Sequence, residues 1–354
     1  MKQSTISRPK WIALVVFIVF IVLIQLVISY SHSIETWYSS GLYPFIANTL
    51  RILLGWLPFS VGDIGYMITI LVFAFGIVRF FRKMFKRKLS WKRSGYNFFR
   101  IVLFLAIVYV VFYSFWGLNY YRKGIAFQLN IERKPYTTDE LMDLTKSLAE
   151  QTSQYRKSIS SNSEYHLDKS ELFGLAKTAY DSVQQTYGFL QFKHKSTKAS
   201  LFGVLGNYLG YTGYYNPFSG EAQINMKTPD VVLPAVVCHE MAHQLGYATE
   251  DEANFVGYLA ASHSHNKVFL YSIYLDLYRY AASELFVRDS SKYILVKQSL
   301  DTLVKKDLKD IRDYKVINVI YGQYLKANNQ PQGIDTYSDV ISLLMAYRRK
   351  YGKI

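Results

Sequence analysis

Two histidines and a glutamate in one short stretch have the types and spacing needed to hold and use a metal ion. Residues 239–243 read His-Glu-Met-Ala-His and follow a largely apolar run, Val231 to Cys238, that predicts a helix. On a helix, residues four apart share one face, so His239 and His243 can reach one Zn²⁺. Zinc polarises a scissile carbonyl, while a carboxylate such as Glu240 moves the proton of the attacking water to the leaving amine. The pattern predicts a zinc peptidase, against the alternative of two surface histidines beside a solvated glutamate.

A catalytic zinc has three protein ligands and one open position, so a third ligand is expected close by. Gly246 can end the first helix in a left-handed turn, and Thr249 can cap a second helix that folds back toward the metal. Glu250 is the preferred third ligand because it lies one turn before Asn254, whose amide can hydrogen-bond a ligand.

Two further acids of the same segment compete with Glu250. Glu252 is the alternative ligand, although it can instead complete a capping box with Thr249. Asp251 can serve as a negative charge at the helix N-terminus. The sequence leaves the choice between Glu250 and Glu252 open.

A peptidase also needs groups that align the substrate and stabilise the oxyanion. The alternation of residues 220–225 predicts a short strand, which either offers its edge to an extended substrate or forms a plain hairpin. Four side chains are candidates for the oxyanion donor, and the sequence does not choose among them: Tyr271, Tyr274, His263 and His265.

Three long apolar stretches near the N-terminus predict a membrane anchor. Residues 11–30, 64–81 and 98–118 are each long enough to cross the hydrocarbon core as a helix. Residues 11–30 exceed a signal-peptide core, and no small-residue cleavage site follows them. Ile46 to Leu57 is too short to span, and it is expected to lie in the interface or to pack on the spans.

The net charge of +15 lies mainly in this anchor and does not indicate nucleic-acid binding. Residues 1–100 hold thirteen cations and only two acids, Glu35 and Asp63. Nine of the cations lie between Arg79 and Arg100, as is typical of a short cytoplasmic loop. The N-terminus is therefore expected in the cytoplasm of a multi-pass inner-membrane protein, with everything after residue 118 outside, which in a Gram-negative cell is the periplasm. The single cysteine, Cys238, excludes an internal disulfide.

The chain divides by composition into an anchor, residues 1–118, and an extracytoplasmic domain, residues 119–354. Residues 137–140 open a helix that runs to about Ser158, and a second helix follows from Ser170 to near Gly188. After Asp230 the pattern is almost wholly helical, with breaks near Gly246, 263–267, Asp289 and 328–333. The expected fold class is α+β, mainly helical, with one small sheet.

The motif pair resembles that of known metallopeptidases. Residues 239–243 followed by Glu250 to Phe255 are similar to the gluzincin scheme, in which a glutamate on the next helix is the third ligand and an Asp or Asn lies four residues on. The Glu-x-Glu-Ala-Asn form also resembles the ImmA/IrrE-type metallopeptidases. Only six residues separate His243 from Glu250, a shorter spacing than in either group. Metzincins are unlike this chain, because their third histidine would fall at Thr249.

Over nearly its whole length the chain is similar to a family of bacterial membrane proteins called DUF3810. The matching core is residues 213–225, 239–243, 250–255 and 271–272. The resemblance implies N-terminal spans and a zincin-like domain, but it implies no substrate.

Three functions follow as alternatives. The preferred one is a membrane-anchored zinc metallopeptidase acting on peptides or proteins, in contact with membrane lipids and with no nucleic acid. The second is a noncatalytic envelope protein with a structural or vestigial metal site. Glu240 argues against it, because a structural zinc site does not require a general base. The third places the function in the spans, which carry no mid-span charge of the kind that ion pathways need.

Overall fold

The protein is described by a computed structural model that covers residues 6–30, 33–86, 90–159, 165–314, 337–352 and 354. It is mainly helical with one small sheet, as predicted. The helices are α1 (Arg8–Ser29), α2 (Tyr43–Leu54), α3 (Val61–Phe85), α4 (Trp91–Phe115), α5 (Gly124–Gln128), α6 (Thr138–Ser158), α7 (Lys169–Thr186), α8 (Gly203–Leu209), α9 (Leu233–Gln244), α10 (Glu250–Ser262), α11 (Lys267–Arg288), α12 (Ser290–Ser299), α13 (Thr302–Tyr314) and α14 (Tyr337–Tyr351). The strands are β1 (Thr197–Ala199), β2 (Gly213–Asn216) and β3 (Glu221–Ile224). The break predicted at 328–333 lies outside the described residues.

Helices α1, α3 and α4 are long and apolar enough to cross a membrane. Their apolar windows are almost wholly unburied within the protein, as expected of surfaces that face lipid. Helix α4 begins at Trp91 and ends at Phe115, so it is shifted toward the N-terminus relative to the predicted span 98–118. A short 3₁₀ turn, Gly117–Tyr121, connects it to the rest of the chain.

Residues 34–59 fold back onto the C-terminal part of the protein instead of forming a free loop. They begin with a π-helix, Ile34–Leu42, and continue into α2. One face of α2 is buried through Tyr43, Ala47 and Arg51, while the opposite face is exposed and apolar. The buried face is bonded mainly to α9, since Tyr43 and Arg51 donate to the carbonyl of Gln244, so packing on the spans is not its main contact. The predicted position in the membrane interface stays a prediction.

The sheet has the order β1-β3-β2, with β1 parallel and β2 antiparallel to β3. The prediction of a strand at residues 220–225 is confirmed by β3. Of the two alternatives for this strand, the hairpin is confirmed by its antiparallel pairing with β2, and the free edge is wrong. Strand β3 is central and paired on both sides, so the outer edges of the described sheet belong to β1 and β2. The sequence missed these two strands because they are only three and four residues long and show no clear alternation.

Two carboxylates connect the sheet region to the first turn of α3. Glu221 accepts hydrogen bonds from the backbone N–H of Val61 and of Gly62 at 3.2 and 2.8 Å. Asp63 is fully buried and accepts the backbone N–H of Leu201 at 2.6 Å and the hydroxyl of Tyr214. A helix N-terminus has free N–H groups and partial positive charge, which both favour such carboxylates.

The core of the C-terminal part surrounds α9 and α10, which are buried along nearly their whole length. Helices α7 and α11 pack against this pair, and α6 packs on α11. Helix α6 begins with the predicted capping box, in which Thr137 and Glu140 bond each other's backbone N–H. Breaks fall after Gln244, Ser262 and Arg288, where the sequence predicted them.

Candidate metal centre

The two histidines of α9 and the first residue of α10 meet at one point. Nε2 of His239 lies 3.1 Å from Oε2 of Glu250, and Nε2 of His243 lies 3.8 Å from Oε1 of the same carboxylate. The ligand atoms of His239, Glu240 and His243 all lie within 4.8 Å of one another. All of these side chains are at least four-fifths buried. The structure therefore brings together the three residues predicted as metal ligands and the residue predicted as the base.

The other ring nitrogen of each histidine is held by an oxygen acceptor. Nδ1 of His239 lies 2.7 Å from Oδ1 of Asn254, and Nδ1 of His243 lies 2.6 Å from the carbonyl of Tyr247. Because these oxygens only accept, each Nδ1 must carry the hydrogen in the neutral ring. Both Nε2 lone pairs then point toward the Glu250 carboxylate. Two lone pairs and a carboxylate suit a divalent cation. Asn254 bonds His239, one of the predicted ligands, as its spacing suggested.

The chain between α9 and α10 is short because it turns at Gly246, which has a φ of +87°. A side chain there would meet Tyr43 and Asn119 at 2.9 and 3.0 Å, so only glycine fits both the backbone and the space. The turn lets α10 begin at Glu250, next to the histidines. A second close contact lies at Gly257, where a Cβ would come within 3.1 Å of the backbone of His239.

Glu240 stands beside the histidines and is buried. Its Oε2 has no hydrogen-bond partner among the described residues. Burial raises the pKa of Glu240 to about 8, with the charge of His239 opposing and that of Glu250 adding to the increase. A buried carboxylate with one free oxygen next to a metal-ligand cluster is placed to exchange protons with a substrate or water.

The two histidines differ in their electrostatic surroundings. Burial alone would lower the pKa of His239, but its hydrogen bond to Glu250 and the nearby carboxylates raise it to about 9. Burial and the charge of His239 lower the pKa of His243 to about 4. The Glu250 carboxylate thus stabilises positive charge at the point where the three side chains meet.

Glu252, the alternative ligand, faces away from the histidines. Its carboxylate accepts the backbone N–H of Ile125 at 2.8 Å. The predicted capping box between Thr249 and Glu252 is wrong, since Thr249 has the N-cap backbone conformation but no side-chain cap bond. The carboxylate packs instead against Gly124, where there is no room for a side chain. Asp251, the other acid of this turn, pairs with Arg133 at 2.8 Å.

The C-terminal end of α9 is capped by side chains that come from before residue 123. A helix leaves its last carbonyls without helical partners, and these need donors when buried. Trp116 donates to the carbonyl of His243 at 3.2 Å. Tyr43 and Arg51 donate to that of Gln244 at 2.9 and 3.1 Å. Arg122 donates to that of Gly246 at 3.2 Å.

No sequence signal pointed to these caps, because each lies more than a hundred residues from the carbonyl that it binds. Arg122 is itself fixed by a buried ion pair with Glu35 at 2.8 Å and by stacking on Tyr247. Helix α9 is therefore attached directly to the segment between α1 and α3 and to the segment that follows α4.

A cleft of about 730 Å³ opens beside the centre. One wall begins at residues 210–213, where Gly213 approaches Glu240 so closely that a Cβ would lie 2.7 Å from Oε1. The far wall comes from α11 to α13 and is rich in cations, namely Arg279, Lys297, Lys305, Lys309 and Arg312. Asp276 also lines this wall and pairs with Arg279 at 2.9 Å, so the wall keeps a net positive charge.

The four side chains proposed from sequence as oxyanion donors do not line this cleft. Tyr271 donates to Asp307 at 2.7 Å, and Tyr274 stacks on Tyr155. Nδ1 of His263 lies 2.7 Å from the carbonyl of Leu259. Four other tyrosines do line the cleft, but the sequence offers no means of separating them from the rest: Tyr211, Tyr278, Tyr280 and Tyr293.

Comparison with family models gives a match, whereas no curated protein and no solved structure matches the chain. One family model, described as "Protein of unknown function (DUF3810)", matches residues 38–345, which include α3, α4, the sheet and both helices of the metal centre. Because the match covers most of its length, the chain belongs to the DUF3810 family.

Proposed function

We propose that the protein is a membrane-anchored, zinc-dependent metallopeptidase. The observation that carries this proposal is the convergence of both Nε2 atoms on the Glu250 carboxylate, with each Nδ1 already engaged by an oxygen. Such an arrangement leaves three ligands directed at one point, as in a catalytic zinc site with an open fourth position. His239, His243 and Glu250 are the proposed ligands.

Each residue has a distinct role in the proposed reaction. Zinc held by the three ligands would supply Lewis-acid polarisation of a carbonyl and of a water molecule. Glu240 accepts the proton of the attacking water through its unpartnered Oε2 and delivers it to the departing amine nitrogen. Asn254 fixes the ring of His239 in the orientation that directs Nε2 toward the metal.

The peptide substrate is proposed to align along β2. This strand begins at Gly213, beside Glu240, and among the described strands it pairs only with β3. Its free edge can therefore form backbone hydrogen bonds with an extended peptide. The cationic far wall of the cleft would favour acidic residues in that peptide.

The proposed topology follows from the positions of the cations. The cationic N-terminus and the nine cations between Arg79 and Arg100 would lie in the cytoplasm. The metal centre would then lie outside, because the loop before α3 and the end of α4 both contact α9.

The first test is the zinc content of the full-length protein in detergent, measured by elemental mass spectrometry. About one zinc per chain is expected in the wild type, with loss in His239→Ala and Glu250→Gln. Glu252→Gln is the matched control, since it removes a carboxylate from the same helix turn that faces Ile125 instead. A folded wild type that takes up no added zinc, or a control that loses zinc as Glu250→Gln does, contradicts the proposed site.

Hydrolysis of a peptide library separates an enzyme from a noncatalytic zinc protein. Glu240→Gln should keep its zinc and lose about 10²–10⁴-fold in kcat/KM, because only proton transfer is removed. Bound zinc together with no hydrolysis by the wild type would favour the noncatalytic alternative.

A further inference from the structure

Residues 201–209, which comprise α8 and the two residues before it, present an exposed apolar surface. Four side chains of this segment are 49 to 67% exposed: Leu201, Val204, Leu205 and Tyr208. Leu209 adds a fifth partly exposed apolar side chain, and the segment carries no charged residue. Contiguous apolar surface of this kind is rare where a protein faces only water, so the segment is expected to contact an apolar phase or a partner.

The position of the segment is fixed by its bonds to the start of α3. The backbone N–H of Leu201 and the hydroxyl of Ser200 both donate to Asp63, at 2.6 and 3.2 Å. Asp63 lies in the first turn of α3, whose next exposed apolar residues are Met67 and Ile68. Ile68 lies five positions after Asp63, which corresponds to about 7.5 Å along the axis at a rise of about 1.5 Å per residue. Residue 201 therefore lies within about one and a half helical turns of the surface that α3 gives to lipid.

A second apolar surface lies at the same end of α3. The outward face of α2 and the turn after it expose Phe45, Ile52, Leu53 and Trp56 by 50 to 75%. Strand β1, which leads into residue 201, is joined to that turn because Lys198 donates to the carbonyls of Gly55 and Leu57. Both apolar surfaces are thus joined by hydrogen bonds to the region where α3 begins, although they are about 150 residues apart in the chain.

We propose that residues 201–209 insert into the surface of the bilayer that α3 enters. The occupant of the apolar face is lipid, since the segment is bonded to the first turn of a helix that crosses the membrane. Leucine and valine provide the buried side, and the tyrosine ring is suited to the headgroup level. Together with α2, the segment holds the C-terminal part of the protein against the membrane.

This placement also indicates a class of substrate, and that inference rests on the function proposed above. Residues 210–213 follow the segment directly and line the cleft beside Glu240. One end of the cleft is therefore held at the lipid surface. The substrate class that this geometry fits is a peptide segment that emerges from, or is anchored to, the same membrane, and not a freely diffusing peptide.

The contact with lipid is tested with an environment-sensitive fluorophore on the full-length protein. Cys238 is completely buried and does not compete for the label. The protein is labelled as a Leu205→Cys variant and reconstituted in vesicles of phosphatidylcholine and phosphatidylglycerol that contain a lipid with a nitroxide near its headgroup. Ile68→Cys on α3 is the lipid-facing reference. Val287→Cys is the matched apolar control, since it is 81% exposed at the end of α11, which packs on α6.

Leu205→Cys is expected to give blue-shifted emission and quenching close to that of Ile68→Cys and several times stronger than that of Val287→Cys. Emission and quenching at Leu205→Cys equal to those of Val287→Cys would overturn the proposal and would leave a protein partner as the occupant of the face. This readout does not depend on zinc or on hydrolysis.

The substrate class is tested with one peptide sequence in two forms, soluble and attached to a lipid in the same vesicles. The wild type is expected to cleave the anchored form several times faster. Val204→Glu combined with Leu205→Glu should remove that preference and leave cleavage of the soluble form unchanged. Equal rates for both forms in the wild type would overturn the substrate inference, while no cleavage of either form would count against the proposed function alone.

Discussion

At the scale of single residues, the proposed metal centre depends on oxygen atoms that are not themselves proposed ligands. The amide of Asn254 determines which nitrogen of His239 carries the hydrogen, and the carbonyl of Tyr247 does the same for His243. Without these acceptors a ring could rotate or change tautomer, and its lone pair would no longer face Glu250.

Replacing Asn254 by alanine removes the acceptor for His239. The affinity for zinc is expected to fall by about 10–100-fold, because the ring loses its fixed orientation. Competition with a chromophoric chelator measures the change in the full-length protein. Asn254→Asp is the control, since a carboxylate also accepts from Nδ1, and equal losses in both variants would contradict the assigned role.

Part of this residue-scale arrangement was predictable from sequence. Helix spacing puts His239 and His243 on one face of α9, and it puts Asn254 one turn after Glu250 on α10. The choice between Glu250 and Glu252 was not predictable. Both acids lie in the first turn of α10, and the choice depends on an N–H group of Ile125 that is over a hundred residues away in the chain. The structure assigns each carboxylate a different partner.

At the scale of elements, β2 and α9 approach each other unusually closely. Gly213→Ala would place a Cβ 2.7 Å from Oε1 of Glu240 and 3.0 Å from the carbonyl of Gln223, so the carboxylate must move. A misplacement of about 1 Å is expected to lower kcat by up to about 10²-fold while zinc stays bound. Steady-state kinetics and metal content test this together. Gly174→Ala on α7 has open space around it and should leave both unchanged.

The caps on the end of α9 should contribute measurable stability. Tyr43→Phe removes the hydroxyl that donates to Gln244, while Arg51 still donates to the same carbonyl. The free energy of unfolding is therefore expected to fall by about 0.5–1.5 kcal/mol, the usual contribution of one hydrogen bond. Denaturant unfolding followed by tyrosine and tryptophan fluorescence would measure it. Tyr30→Phe, at an exposed side chain, is the matched control and should have no effect.

The helices were more predictable than the strands for a physical reason. A helix of a dozen residues repeats its apolar positions several times and carries end signals such as Thr137 and Gly246. Strands β1 and β2 have only three and four residues, and their pairing with β3 depends on contacts between distant parts of the chain. No local pattern encodes such pairing.

At the scale of the whole molecule, the anchor and the C-terminal part share one structure. Contacts that cross residue 118 include the caps of α9, the Glu35 and Arg122 ion pair, and the bonds of Glu221 and Asp63. The division of the chain at residue 118 was inferred from composition, which reports on solvent and lipid but not on such contacts.

A fragment of residues 119–354 is expected to be less stable than the full chain. It lacks Tyr43 and Arg51, the side-chain donors to the carbonyl of Gln244, while the carbonyl of His243 keeps the backbone N–H of Gly246 at 3.0 Å. A buried carbonyl left without a donor costs about 1–3 kcal/mol. Thermal unfolding of the fragment and of the detergent-solubilised full chain, at equal zinc concentration, compares them. Equal melting temperatures would mean that the caps do not contribute to thermal stability.

The hydrogen bonds at the C-terminal end of α9 also affect where the proposed peptidase activity can occur in the cell. An ectodomain that is shed by proteolysis often carries its activity into the surrounding fluid. Here a cut between the last span and residue 119 would separate α9 from the side chains that donate hydrogen bonds to its final carbonyls. Release would therefore destabilise the proposed metal centre, so the proposed activity would depend on the anchor for stability as well as for attachment.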